Sequence, residues 1–501
     1  MSGFHSLEVA RQAIFAQQSA LHTTSHNIAN ANTKGYSRQR VNFEQVSAFP
    51  SGSRNRPEIA GQIGAGVKAG SIERIRNDFL DTQFRTENSQ AGYWQELGNA
   101  LGRVEGLMNE PSETGLSASL DEFWNALQDL ADSPDNTGAR SVVLQRGAAL
   151  SDTFVYFHDT ISGFREDIKG ELETTADEVN SILTQIHDIN QQVARLEPHG
   201  YSTNDLYDKR DQLIDELSDM IDIEVTKNAP GESSLRQETA DGLVSIELKR
   251  SDGSSTGIKL IDGAEMTYNE VKVNFEEGTD GQQEMVSDIQ IGNTELGIQE
   301  IESLGNGSLK AMFEIYNDEY SNILSELDEM AYHFASKFNE VHEAGHTLDG
   351  ESGIAFFDGL EDGNIEGFAG RIFVSIEDTS DIAASAEPNG GASDNSNIRD
   401  LLAVFDAPLE ELSDTSVQKF YESLIGEMAV KTQQANQMVD STGVLRAQVD
   451  QQRQSVSAVS LDEEMTNMIQ FQHAYNAAAR NMTAIDEMLD RVINNMGLVG
   501  R

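Results

Sequence analysis

The ends of the chain constrain its fold most. From Met468 to Met496 the residues Met468, Phe471, Tyr475, Ala478, Met482, Ile485, Leu489, Val492 and Met496 recur in steps of three and four. A stripe of that spacing keeps to one helix face and needs another helix to cover it. The N-terminus carries a more polar series of the same spacing: Leu7, Ala10, Ile14, Gln17, Leu21, Thr24 and Ile28. Each end is the natural cover for the other. The seam expected is Leu7, Ile14, Leu21 and Ile28 against Phe471, Tyr475, Met482, Ile485, Leu489 and Val492. Two helices alone gain little, so full ordering of the ends is expected to depend on neighbouring copies.

Between the ends the helical period continues. A stripe from Ile161 to Leu196 stops at Glu197-Pro198-His199-Gly200. Further helices are expected from a cap at Ser202 or Thr203, over about 308–341 and over about 413–456. Between the second and third the period falls to two: Val244, Ile246, Leu248; Val271, Val273, Phe275; Ile289, Ile291. Asp-Gly pairs at 241–242, 252–253, 262–263 and 280–281 supply turns. A shorter strand is read at 371–376, and Pro388–Asn397 reads as a loop. The fold class is mainly α with inserted β: terminal helices forming a coiled coil, an elongated helical bundle and a small antiparallel β domain. The expected division is 1–50 with 455–501 as the terminal coiled coil; 51–225 with 301–345 and 398–454 as the bundle; 226–300 as the β insertion; and 346–397 as a short β/loop insertion.

Composition removes several functions. Asp and Glu number 84 against 35 Lys and Arg, a net charge of −49. Nucleic acid, which needs a basic surface, is not an expected partner. The absence of cysteine excludes disulfides, thiol catalysis and cysteine-ligated metals. No apolar run approaches the roughly 20 residues of a membrane-spanning helix, so no membrane insertion is expected. No cleaved signal peptide is visible. Residues 1–80 carry nine basic and five acidic residues, +4, so the excess acid lies elsewhere. A near-neutral end on so acidic a chain suits a surface that packs against other subunits.

One motif suggests catalysis. His342-Glu343-Ala344-Gly345-His346 fits the pattern in which two histidines one helical turn apart hold zinc and the glutamate activates its water. That chemistry needs an unbroken helix and a third ligand. Gly345 and the turn at Asp349-Gly350 place a helix end inside the motif, and His346 is expected to point away from His342. A zinc metallopeptidase is therefore the least favoured reading, and no cofactor, metal or catalytic residue is assigned.

Other motifs are more specific. In "SHNIANANTKGYSRQRVNF" the residues Asn27, Ile28, Ala29, Asn30, Thr33, Gly35, Tyr36, Ser37 and Arg38 follow directly on the N-terminal heptads. Asn30 and Asn32 suit a helix end, and Gly35 permits positive φ. In "NDLYDKRDQLIDEL" there is Asp208-x-Arg210-Asp211, and the C-terminal helix opens with Leu461, Asp462, Glu463 and Glu464. Around the false zinc motif stand Asn339, His342, Gly345, Gly350, Gly353, Phe356 and Phe357. In these features the chain resembles the bacterial flagellar rod, hook and hook-associated axial proteins, and the last three groups resemble the hook-associated members. The resemblance implies a structural subunit of the extracellular flagellum that joins hook to filament. It implies type III export without a cleaved signal, an escorting export chaperone, and assembly with itself in a helical layer. The neighbours it implies are hook protein below and hook-associated protein 3 above. A hook or rod subunit is the alternative; it would be expected to lack the Asp208-x-Arg210-Asp211 helix.

Overall fold

The computed structural model describes residues 3–47, 64–108, 115–201, 203–228, 239–276, 284–360, 363–412 and 414–495. The Asp280-Gly281 turn, a cap at Ser202, the 50/51 boundary and Met496 lie outside them. In chain order the elements are α1 (Gly3–Ala29), β1 (Gln39–Gln45), β2 (Val67–Arg74), α2 (Asp78–Met108), α3 (Leu116–Asp132), α4 (Thr137–Leu196) and α5 (Asn204–Met220). Then come β3 (Ile223–Asn228), β4 (Leu243–Lys249), β5 (Ser255–Asp262), β6 (Thr267–Tyr268), β7 (Val271–Glu276), β8 (Met285–Ile291) and β9 (Thr294–Gly297). The chain closes with α6 (Ile298–Glu302), α7 (Ser308–Glu314), α8 (Tyr320–Ala344), β10 (Phe357–Asp358), β11 (Phe373–Val374), α9 (Ser396–Asp406), α10 (Val417–Ser457) and α11 (Leu461–Asn495).

The spine is α4, 60 residues and about 90 Å long at 1.5 Å per residue. Its N-terminus is capped by Asn136, whose side chain accepts from the Gly138 and Ala139 N–H groups. It begins at Thr137 rather than near Ile161, because Val143, Gly147, Leu150, Phe154 and Phe157 continue the buried stripe. Gly147 has a packing purpose there: a Cβ would lie 2.8 Å from the Phe356 ring. The helix expected over 308–341 is interrupted by a π turn at Ile315–Glu319. The expected strand at 371–376 shrinks to Phe373–Val374, paired with β10. The inner face of α2 is polar or small over its first turns, with Arg85, Asn88, Ser89, Ala91, Gly92 and Gly98, and apolar toward its end, with Leu101, Val104 and Met108.

Two antiparallel sheets, β3-β4-β5-β6 and β7-β8-β9, lie on the helices. Val244, Ile246, Val271, Val286 and Ile289 belong to the same apolar core as Val179, Ile186 and Tyr316. Five asparagines dock strands and loops onto helices by pairing with both backbone groups of one residue. Asn190 takes Val244 (Nδ2 to O 2.9 Å, N to Oδ1 3.3 Å) and Asn180 takes Val271 (2.8 and 2.7 Å). Asn317 takes Val286 (3.0 and 2.9 Å) and Asn339 takes Phe357 (2.7 and 2.9 Å). The fifth, Asn27 on α1, takes Gln39 (2.8 and 3.0 Å).

The far end of the bundle closes on an aromatic cluster. Phe123, Phe334, Phe338, Phe356, Phe357 and Phe405 interlock with centroids between 4.9 and 6.0 Å apart. Phe338→Ala removes a fully buried ring and should cost about 3–5 kcal/mol, read as a lower denaturant midpoint of the bundle.

Candidate functional site

Among the described residues, no side chain of α1, β1, β2 or α11 joins the continuous core of the bundle. The terminal elements form their own pack. Asn27, near the end of α1, bonds Glu464 at the start of α11 (3.1 Å), so the two helices run antiparallel. The buried face of α1 is shifted from the expected one: Ala10 and Thr24 of the expected stripe are buried together with Ala16, Ala20, Thr23 and Asn27, while Leu7, Ile14, Leu21 and Ile28 are half-buried. Small side chains let α1 wedge between α11 and the β1–β2 hairpin, which displaces the larger ones to its flank. On α11, Ile485 is buried and Phe471, Tyr475, Met482 and Leu489 are half-buried. Val492, expected in the seam, is 51% exposed because α1 no longer covers it. Phe471 meets Phe43 of β1 edge-on, with centroids 6.2 Å apart.

The motif residues gather where this terminal pack meets the bundle. Asn27 uses every polar position of its amide. Oδ1 accepts from the Gln39 N–H and the Tyr36 hydroxyl (2.8 Å); Nδ2 donates to the Gln39 carbonyl and to Glu464. Asn30 donates to the His26 carbonyl (3.0 Å) and accepts from Thr33 (3.3 Å), closing the helix end. Gly35 sits at φ +82 in the reversing loop. Burial among Asp208, Asp205 and Glu464 pushes the Tyr36 phenol well above its ordinary value, so it remains a donor. Arg38 donates from its backbone to Ser457 (2.9 Å) and pairs with Glu463 (2.7 Å) and Glu464 (3.0 Å). The loop of the first motif is thereby tied to the break between α10 and α11. Leu461 and Asp462 are exposed on the first turn of α11.

Asp208-x-Arg210-Asp211 divides its work between two faces of α5. Asp208 accepts from the Ser37 N–H (3.1 Å) and from Arg74 (2.8 Å); Asp211 accepts from Arg74 (2.8 Å) and Arg76 (3.0 Å). Arg74 also pairs with Asp241. Arg210 points into the bundle and donates to the Gly242 carbonyl (2.7 Å) and Asn190 (3.3 Å). Burial alone would raise the Asp211 carboxyl, but Arg76, Arg74, Arg85 and Arg210 hold it far below the usual carboxylate range. Arg85 and Arg453 converge on Asp215 at 2.9 and 2.5 Å, and Arg453 lies over the Phe84 ring. The joint is therefore an ionic lattice built on α5. Arg74, Arg76, Arg85, Asp215, Asp241 and Arg453 belong to it without having stood out in the sequence, because long-range ion pairs leave no local pattern.

The zinc-like motif does other work. Helix α8 ends at Ala344, inside it. His342 is fully buried; its Nδ1 donates to the Ile354 carbonyl (2.6 Å) and its Nε2 accepts from the Ala383 N–H (3.0 Å). Neither ring nitrogen is left for a metal. Glu343 is exposed, and the backbone of His346 pairs with Ser385. Among the described residues, no group of three or more His, Asp or Glu side chains could hold a metal ion.

The comparisons with known proteins agree with one another. A family model described as the flagellar hook-associated protein FlgK helical domain matches residues 101–357. Models of the flagellar basal body rod FlgEFG protein C-terminal and of the flagella basal body rod protein match residues 450–496 and 7–36. The chain is similar to flagellar hook-associated protein 1 of Bacillus subtilis (strain 168), 44% identical over 514 residues and 100% of both chains. It is 23% identical to that of Escherichia coli (strain K12), over 97% of this chain and 98% of the other. In fold it is similar to the flagellar hook junction protein FlgK from Burkholderia pseudomallei, with a TM-score of 0.60 at 13% identity, covering 75% of this chain and 100% of that one.

Two outcomes follow from the geometry. Arg74→Ala leaves Asp208, Asp211 and Asp241 short of a buried partner and should cost about 3 kcal/mol at the joint. The measurement is proteolysis: cleavage at 31–37 and 458–460 should accelerate while the bundle's denaturant midpoint changes little. The second concerns His342. Burial, reinforced by Arg140, pushes it down to about 4 against the pull of the Ile354 carbonyl. The unfolded chain binds this proton below about pH 6.5, so stability should fall as pH drops from about 6.5 to 4. Unfolding of His342→Gln beside wild type should show a shallower loss across that window, by on the order of 3 kcal/mol.

Proposed function

The chain belongs to the family of flagellar hook-associated protein 1, and from that we propose how it serves as a structural subunit of the hook–filament junction. Its role is structural, not enzymatic, and it is a component of the bacterial flagellum. In our reading, copies assemble as a layer through the terminal helices, with hook protein below and hook-associated protein 3 above. The subunit reaches the extracellular junction by type III export, escorted by a chaperone.

The observation that carries this reading is the state of the terminal pair. In a single chain, α1 and α11 cover only one face of each other. Leu7, Ile14, Leu21 and Ile28 remain half-buried, while Leu461, Met465, Ile469, Val492 and Ile493 are exposed. Leaving such surface to water is unfavourable by about 25 cal/mol per Å², and neighbouring copies of the same pair would remove it. The ionic joint then holds each pair at a set attitude to its bundle. Asp208 and Asp211 do this holding, which gives the helix that separates this chain from rod and hook subunits a mechanical purpose.

The test is assembly in a strain deleted for this protein. Ile485→Asp with Leu489→Asp should leave the bundle folded and the subunit exported, and should abolish filament growth on the hook. Normal filaments from that double variant overturn the reading; electron micrographs of the cells decide it.

A further inference from the structure

The lower half of α10 is covered on one side only. Thr432, Ala435, Thr442 and Val449 are buried and turn toward α2. The opposite face runs from Val430 through Gln437, Ser441, Val444 and Gln448 to Ser455, all exposed. At 3.6 residues per turn these positions align, and the face is about 38 Å long. Val430 and Val444 are 63% and 66% exposed, and Leu445 beside them 43%.

What distinguishes this face is charge. The chain has 84 acidic residues, and α4 alone exposes Glu166, Asp167, Glu173, Asp177 and Glu178. Between Val430 and Ser455 the only charged side chains are Lys431, Asp440, Arg446, Asp450 and Arg453, and the helical turn carries all five off the exposed stripe. An outward helix face in a protein of net charge −49 is thus uncharged and dotted with valine, leucine and glutamine. Val430, Val444 and Leu445 are apolar surface left in water on a helix whose other side is already buried against α2, and a second contact would cover it.

We propose that this face is a lateral contact between bundles of neighbouring copies of this chain. It rests on the layer reading above and extends it from the terminal helices to the bundle. The occupant follows from electrostatics. Every copy carries the same −49, so a contact between two copies is least opposed by repulsion where the surface carries no charge, as on this stripe. The contact is heterologous, as a closed or helical layer requires: the stripe of one copy meets a different surface of the next. Exposed glutamines supply uncharged donors and acceptors around the Val430, Val444 and Leu445 anchors.

The experiment places the photo-reactive residue p-benzoylphenylalanine at position 444 of the full chain, in cells that build flagella, and at position 173 as the control. Irradiation of isolated flagella should yield an adduct of two copies of this chain from position 444 and none from position 173. An adduct only with another flagellar protein, or no adduct while filaments form normally, overturns the proposal. In parallel, Val444→Asp with Leu445→Asp should lower the fraction of cells bearing filaments at least tenfold, whereas Val444→Gln with Leu445→Gln should leave it near wild type. Both positions are exposed, and unchanged melting of the purified chain checks that folding is intact. If the aspartate pair at 444 and 445 is harmless while that at 485 and 489 abolishes filaments, the lateral contact fails and the terminal-helix reading stands. If both are harmless, the layer reading itself fails.

Discussion

A primary amide offers one donor side and one acceptor side, spaced to match the N–H and C=O of a single residue. Asn27, Asn180, Asn190, Asn317 and Asn339 use that match to attach Gln39, Val271, Val244, Val286 and Phe357 to helices. A strand or loop laid on a helix has backbone groups that the helix backbone cannot serve, because its own ladder is closed. An unserved buried group costs about 1–3 kcal/mol. Each asparagine removes two such costs and also fixes register, since only one residue fits the amide. The sheets, the Phe356–Phe357 plug and the N-terminal hairpin all take their positions from these brackets.

The brackets position strands, but they do not join the terminal pack to the bundle. That connection is ionic: Arg74 and Arg76, at and just past the end of β2, pair with Asp208 and Asp211 of α5, while Arg38 with Glu463 and Glu464 braces the terminal pack and Arg85 and Arg453 with Asp215 brace the bundle beside it. Apolar packing is non-directional, whereas guanidinium–carboxylate pairs prefer defined geometries. A subunit that must hold two parts at a set angle, without fusing their cores, is suited to the second. The joint takes five of the chain's 35 Lys and Arg residues, and the bundle's exterior is left acidic.

His342 illustrates how a motif can mislead. Its spacing to His346 is that of a metal pair, yet α8 stops at Ala344 and the ring holds two backbone groups, from Ile354 and Ala383. It performs for the 346–385 region the service that the asparagines perform elsewhere. The neighbouring Asn339 and Phe356 explain why these residue types occur together around the helix end.

The sequence by itself determined the helical ends, the period change near residue 223 that announces strands, the Gly35 reversal and the helix end inside the zinc-like motif. Each rests on local physics: side-chain period, glycine's backbone freedom and the hydrophobic stripe. Only the tertiary structure decided that the buried face of α1 is alanine and threonine, because that depends on how closely α11 and the hairpin approach. It also decided that Asp208 and Asp211 face the hairpin while Arg210 faces the bundle, since their partners are far away in sequence. Helix α2 shows the difference in one element. Over its first turns the inner face, Arg85, Asn88, Ser89 and Gly92, carries no hydrophobic period and is buried because α5 and α10 supply the ion pairs and close contacts that such a face requires, whereas Leu101, Val104 and Met108 resume an apolar stripe toward its end.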